Sequence, residues 1–178
     1  MGRRRPKGVS ALGLIKPELP TLVRSPPTGE GWIHEIKNDG YRTLIVIDQG
    51  RVRDFSRPGR DWTISPRGRG VRQALLRVFC FRPPHLNGHD LRRTPLMERR
   101  AALRKLIKPG PCSPIQFSDH ADCDGARFFR AAADLGLEGI IFKRASSLYR
   151  GGPSRNWLKT KNMVESEFET PTPGLCRD

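Results

Sequence analysis

Acidic residues are missing from a long internal stretch. From Trp62 to His89 there is no Asp or Glu, while Arg67, Arg69, Arg72, Arg77 and Arg82 all fall there. Over the whole chain of 178 residues, 18 Asp and Glu face 33 Lys and Arg, a formal net charge of +15. That imbalance argues for a polyanionic partner, nucleic acid first. A basic solvated surface is the bland alternative. Long apolar runs are missing as well. The longest aliphatic run, Leu44–Ile47, is far too short to span a bilayer, and no apolar signal core follows the basic N-terminus. No basic amphipathic helix stands out, so an anionic membrane surface ranks behind nucleic acid. A cytoplasmic location is expected. Cysteine is sparse: Cys80, Cys112, Cys123 and Cys176 form no Cys-x-x-Cys pair, which suits reduced thiols. His120 lies three residues before Cys123, yet a zinc site would need two further ligands.

What is present suits one domain with tails. The hydrophobic content of 36% supports a core, and 18 Gly with 16 Pro predict plentiful loops. Residues 1–16 carry Arg3-Arg4-Arg5 and read as a basic flexible arm, 17–162 as the folded domain, and 163–178 as a tail. Pro17 to Pro27 reads as an extended lead-in. Thr43–Ile47 is rich in β-branched residues and reads as a strand covered on both faces; Asp48-Gln49-Gly50 turns it back onto Arg51–Phe55. Val71–Val78 is helix-like. Thr94 is placed to cap a helix with Pro95 at its first position and Leu96, Leu103, Leu106 and Ile107 inward. Ile115–Ser118 is a short strand candidate. Asp124 is placed to cap a second helix, with Phe128, Ala131, Ala132 and Leu135 inward and Gly136 as terminator.

The chemistry gathers around Lys37. In Trp32-Ile-His-Glu-Ile-Lys-Asn-Asp-Gly-Tyr-Arg42, a strand runs into the turn chemistry of Asp39-Gly40, which aims Lys37 over a pocket. Read whole, Glu35-Ile-Lys-Asn-Asp-Gly-Tyr-Arg42 resembles the nucleotide-binding motif of the ATP-dependent DNA ligases, most closely the bacterial ligases of non-homologous end joining. Glu138-Gly-Ile-Ile-Phe-Lys143-Arg144 and Trp157-Leu-Lys159-Thr-Lys161 follow in the order of that family, with Tyr149–Asn156 resembling its connecting loop. Three ordered motifs carry the resemblance.

The resemblance implies an α+β, antiparallel-sheet nucleotidyltransferase domain of the ATP-grasp-like ligase adenylation type. It also implies ATP and Mg2+ as nucleotide and metal, nicked or broken double-stranded DNA as partner, and a place at the bacterial nucleoid. Lys37 would attack the α-phosphorus of ATP and carry AMP as a phosphoramidate. A neutral amine is needed, whereas a free lysine titrates at ~10.4. Lys159 and Lys161 are the cations expected to favour the neutral form and to balance charge on the α-phosphate; their bland reading is one face of an edge strand. Glu138 would hold the metal, Lys143 would meet nucleotide phosphate, and Glu35 the adenine. Arg42 would meet the ribose or a nick 5′-phosphate, and Arg57 in Ser56-Arg57-Pro58-Gly59 nucleotide or DNA. Phe79 or Phe81 would stack on adenine.

The chain also departs from that pattern. The Asp-Gly-Glu strand is absent from the acid-free stretch, and the Phe-Asp-Leu-Leu strand is scrambled in Phe79–Pro84, so an internal deletion near 62–84 is expected. After Asn162 only sixteen residues remain, too few for an OB-fold, and separate chains would have to supply missing parts. Two further readings stay open: an impaired remnant that binds DNA by charge alone, and another lysyl-nucleotidyltransferase such as an RNA ligase or capping enzyme.

Overall fold

A computed structural model describes residues 15–38, 40–63, 78–108, 110 and 113–162. Its centre is a four-stranded sheet in the order β1-β10-β9-β2, formed by β1 (Glu18–Leu22), β2 (Trp32–Ile36), β9 (Gly139–Arg144) and β10 (Gly152–Lys161). The two stretches expected to return to Lys37 are thus its central strands. β9 pairs antiparallel with both β2 and β10, whereas β1 runs parallel to β10. The sheet is therefore mixed rather than purely antiparallel. Its odd member is the proline-punctuated lead-in: Pro20 has no N–H to donate, and the register shifts between Pro20 and Thr21 on this edge strand.

One sheet face is mainly apolar, with His34 and Thr160 as its buried polar members. Trp32, Ile140 and Phe142 are buried there with Ala132 of α2 (Gly125–Asp134), joined by Phe128, Phe129, Leu137 and Leu158. The Asp124 side chain caps α2, accepting from the Arg127 N–H at 2.7 Å. Gly136, at φ +67, ends it as expected. Leu135 stays exposed, because the chain leaves the helix there, and Leu137 packs in its stead.

The other face carries a second cluster, Ile33, Trp157 and Leu96 of α1 (Leu96–Leu106), together with Phe81, Ile141 and Ala145. No side chain caps α1. Thr94 does not serve, because the carbonyls of Ser147 and Ala145 accept the Leu96 and Met97 N–H groups at 2.9 and 3.2 Å. The inward stripe also differs from the expected one. Leu106 is 52% exposed, while Arg99 and Arg100 are buried.

Three two-stranded ribbons complete the described chain: β3 (Thr43–Asp48) with β4 (Arg51–Ser56), β5 (Val78–Cys80) with β8 (Ile115–Phe117), and β6 (His85–Leu86) with β7 (His89–Asp90). The β3–β4 loop holds Gln49 at φ 46 and Gly50 at φ 76, the backbone of a tight hairpin turn. β3 is not covered on both faces. Its period-two alternation puts Ile45, Ile47 and Val52 on one side of an isolated ribbon, 39%, 71% and 56% exposed. Pro83 and Pro84 lie between β5 and β6, outside any strand. Of the expected arm (1–16), residues 1–14 lie outside the described residues, as do residues 71–77 of helix-like Val71–Val78 and the tail (163–178); Lys16 is held by the Tyr149 hydroxyl, which donates to its carbonyl at 2.7 Å, and Val78 begins a strand.

Candidate active site

Pairing register decides which motif residues share a surface. Opposite residues in a sheet point to the same side, so three rows cross the second face. The first is Ile33–Lys143–Trp157, the second Glu35–Ile141–Lys159–Leu22. The third begins where the Lys37 N–H donates to the Gly139 carbonyl at 2.9 Å, and Gly139 pairs in turn with Lys161. Lys37, Lys159 and Lys161 therefore share one face. Gly139 stands between two of these lysines, and no other residue fits there. A Cβ would meet the Thr160 carbonyl oxygen at 2.1 Å, and the φ of +156 is one that side chains rarely adopt.

The Lys37 ammonium donates to the Glu138 carboxylate, an ion pair that both residues leave partly exposed. Glu138 immediately precedes β9, so the backbone bond between Lys37 and Gly139 also sets this side-chain contact. Asp39 of the expected turn lies outside the described residues; Gly40 beside it has φ +143. Glu138 is the carboxylate at this place, and among the described residues no cluster of three or more metal-ligating side chains occurs. A divalent cation held there would take Glu138 together with phosphate and water oxygens, which suits Mg2+, since it keeps several waters and needs few carboxylates.

Glu35 is in a different situation. It is 4% exposed, and its Oε1 accepts from Arg100 Nη1 at 2.5 Å. Its Oε2 accepts from Ser118 Oγ at 3.0 Å and meets Lys143 Nζ at 2.5 Å. Lys143 is 2% exposed, with its ammonium 4.3 Å from the Trp157 ring centre and 4.8 Å from that of Phe81. Burial, only partly offset by Glu35, pulls this amine down to about 7. Lys143, expected to meet nucleotide phosphate, is thus engaged with Glu35 beneath the surface.

Arg42 and Arg57 line one cleft with Arg82, Phe81 and Tyr149, whose lining includes none of Lys37, Glu138, Lys159 and Lys161. Arg42 Nη1 donates to the Glu18 carbonyl at 2.6 Å, and its guanidinium lies over Phe81 and Trp157. Burial and the nearby Arg82 lower its pKa to about 10. Arg82 is itself buried, donating to Glu18 Oε2 at 2.7 Å and stacking 3.9 Å from the Trp157 ring centre. Pro58 is accommodated by a tight turn in which the Gly59 N–H donates to the Ser56 carbonyl at 2.8 Å. Of the two aromatic candidates, Phe81 packs among these cations while Phe79 is 41% exposed. Sequence reasoning missed Arg82, Arg99, Arg100 and Ser118. Arg99 and Arg100 in a basic helix, and Arg82 in a basic stretch between strands, look like solvent-facing charge, and nothing in their spacing marks them as buried.

One face of the sheet thus gathers Lys37, Lys159 and Lys161, with Glu138 at Lys37. The chain is a member of the ATP-dependent DNA ligase family: the family model described as "ATP dependent DNA ligase domain" matches residues 68–161. It is 35% identical, over 86% of its length, to the multifunctional non-homologous end joining protein LigD of Pseudomonas aeruginosa, of which it spans 23%. It is 39% identical, over 69% of its length, to a DNA ligase of Natronomonas pharaonis, spanning 22% of that protein. Among solved structures, mycobacterial DNA ligase D complexed with ATP and MES matches with a TM-score of 0.67 and 26% identity, over 83% of this chain and 60% of that one. The ligase domain of M. tuberculosis LigD matches with a TM-score of 0.65, also at 26% identity, over 83% of this chain and 59% of the other. The chain thus covers about a quarter of its curated relatives and has the fold of an incomplete α+β ligase nucleotidyltransferase domain. No described helix is long and apolar enough to cross a membrane.

Proposed function

We propose that this chain is the adenylating part of an ATP-dependent DNA ligase acting in repair and recombination. The Lys37 amine, once neutral, attacks the α-phosphorus of ATP. The N–P bond forms as the Pα–O bond to pyrophosphate breaks, and the nitrogen gives up a proton to solvent, leaving AMP on the lysine as a phosphoramidate. A DNA 5′-phosphate then takes the AMP, and nick sealing follows. One observation carries the reading: Lys37 meets Glu138 on the same sheet face as Lys159 and Lys161, with a glycine row between. The two lysines balance charge on the α-phosphate. Glu138 supplies a carboxylate for Mg2+, which neutralises phosphate charge when bound.

Glu35 faces the adenine. A carboxylate has about four acceptor positions, and three donors occupy Glu35 (Arg100, Ser118 and Lys143), leaving one for an exocyclic amine. Arg42 and Arg57 offer their cleft to the 5′-phosphate of a nick, where guanidinium groups suit bidentate contact.

The test is incubation with radiolabelled ATP and Mg2+. Covalent label on the wild-type chain and none on Lys37→Ala supports the reading; no label on either overturns it. A second reading, a remnant that binds DNA through charge alone, is favoured by the acid-free stretch where the Asp-Gly-Glu strand is absent. Both readings expect DNA affinity that falls steeply with added salt as counterions are released, and salt-indifferent binding would sink the charge-driven contact in each.

A further inference from the structure

We infer that Arg100 is a positioning residue that sets the preference for an amino-purine over a keto-purine through Glu35. The inference rests on the adenylation reading for Glu35, but Arg100 stands on its own geometry. A buried guanidinium is costly unless its donors are satisfied. Arg100, 2% exposed in the interior of α1, directs its donors at three separate segments. Nη1 donates to Glu35 Oε1 on β2 at 2.5 Å and to the Phe81 carbonyl just past β5 at 3.3 Å. Nη2 donates to the Ser118 carbonyl just past β8 at 2.6 Å and meets His120 Nδ1 at 3.0 Å. A guanidinium has no acceptor, so that histidine nitrogen must accept. Burial lowers the His120 pKa, with Arg100 adding to the effect, in keeping with a neutral ring.

One planar fork therefore ties together the elements bearing Glu35, Phe81 and Ser118, and Ser118 is itself a donor to Glu35. Two consequences follow for the carboxylate. Its rotamer is fixed, because Arg100 holds one oxygen while Ser118 and Lys143 hold the other. Its oxygens also already accept from Arg100, Ser118 and Lys143, so what they offer a ligand is an acceptor position. The acceptor position left over takes the amine of adenine and repels the carbonyl oxygen of guanine. Lysine cannot replace Arg100 here: a single ammonium on a flexible stem does not reach the Glu35, Phe81 and Ser118 oxygens in one plane.

The experiment measures ATP and GTP affinity by calorimetry on the full chain, for wild type, Arg100→Lys, Glu35→Gln and the double variant, with thermal melting to establish that each folds. Loss of an oriented charged hydrogen bond is expected to lower the ATP-over-GTP ratio of Arg100→Lys by ~10–100-fold. Glu35→Gln, whose amide both donates and accepts, should lower it similarly. If Arg100 acts through Glu35, the double variant falls no further than Glu35→Gln alone. A wild-type ratio in Arg100→Lys, or losses that simply add in the double variant, overturns the inference. Should Arg100→Lys fail to fold, Arg100→Gln, whose single planar amide also cannot replace the fork, takes its place, and an unchanged ratio there overturns the inference equally. Binding is read without covalent chemistry. A chain that selects ATP but never labels Lys37 would sink the adenylation step and leave the Arg100 inference standing.

Discussion

On one face of the β1-β10-β9-β2 sheet, Trp32, Ile140 and Phe142 pack against α2; on the other, Glu35, Lys143 and Arg100 are as deeply buried but ionisable. The two faces are made by the same strands, one residue out of phase. The aliphatic and aromatic side chains of the first face ask for volume and shape, so a small change of size among them is absorbed at modest cost. On the second face Glu35, Lys143 and Arg100 are bound to one another through Glu35, and removing it strands the other two in a low-dielectric interior. The difference lies in how each face tolerates change, and the motif lysines rise from the less tolerant one.

The largest expected effect tests that contrast directly. Glu35→Ala leaves Arg100 and Lys143 without their common carboxylate and should cost ~3–5 kcal/mol of stability. Ile140→Val, at an equally buried apolar position, should cost only ~0.5–1.5 kcal/mol. Urea unfolding of both variants decides the matter. If the two costs coincide, the faces are energetically alike and the comparison fails.

Next comes a pH effect that the aliphatic and aromatic side chains of the first face cannot produce. The Lys143 amine lies at about 7 in the folded chain against an ordinary 10.5, because burial outweighs the help of Glu35. Between those values the unfolded chain holds a proton that the folded chain has released. Stability contributed by this group therefore rises as pH climbs from about 7 towards 10.5, and it is at its lowest below 7, where the charge must be buried. Subtracting the pH–stability curve of Lys143→Met from that of the wild type should reveal this rise, with Arg100 still holding Glu35. A difference curve flat across that window would mean that Lys143 keeps its charge on folding.

These contrasts also mark what could be read from the chain itself. The three motifs located Lys37, Glu138, Lys159 and Lys161, and the strand pairings gather them because a motif one strand long carries its own register. Helix α2 was legible for the same local reason: Asp124 and Gly136 punctuate it in ways that depend on neighbours in sequence alone. The partners of Glu35 were not legible, since Arg100 lies 65 residues away and Ser118 lies 83 away. An arginine's letter says nothing of whether its charge ends in water or under a helix. The ribbon β3–β4 misled in the opposite sense, as a run of β-branched residues specifies a strand but not what covers it.

The smallest effect separates the two helices, one for each face. α2 begins at Asp124, whose carboxylate accepts the Arg127 N–H at 2.7 Å, so Asp124→Ala exposes an unsatisfied donor in the first turn. A cost of ~1 kcal/mol is expected, the usual magnitude for a lost cap. α1 begins after Thr94 with no side-chain cap, its first N–H groups being met by the Ser147 and Ala145 carbonyls. Thr94→Ala should therefore shift stability by no more than ~0.5 kcal/mol, even though Thr94-Pro95 looks the better start signal in the sequence. Unfolding midpoints of the two variants check the difference. Equal losses would mean that the Thr94 hydroxyl caps α1 in solution, and the loop after β9 would then no longer be what anchors α1 to the second face.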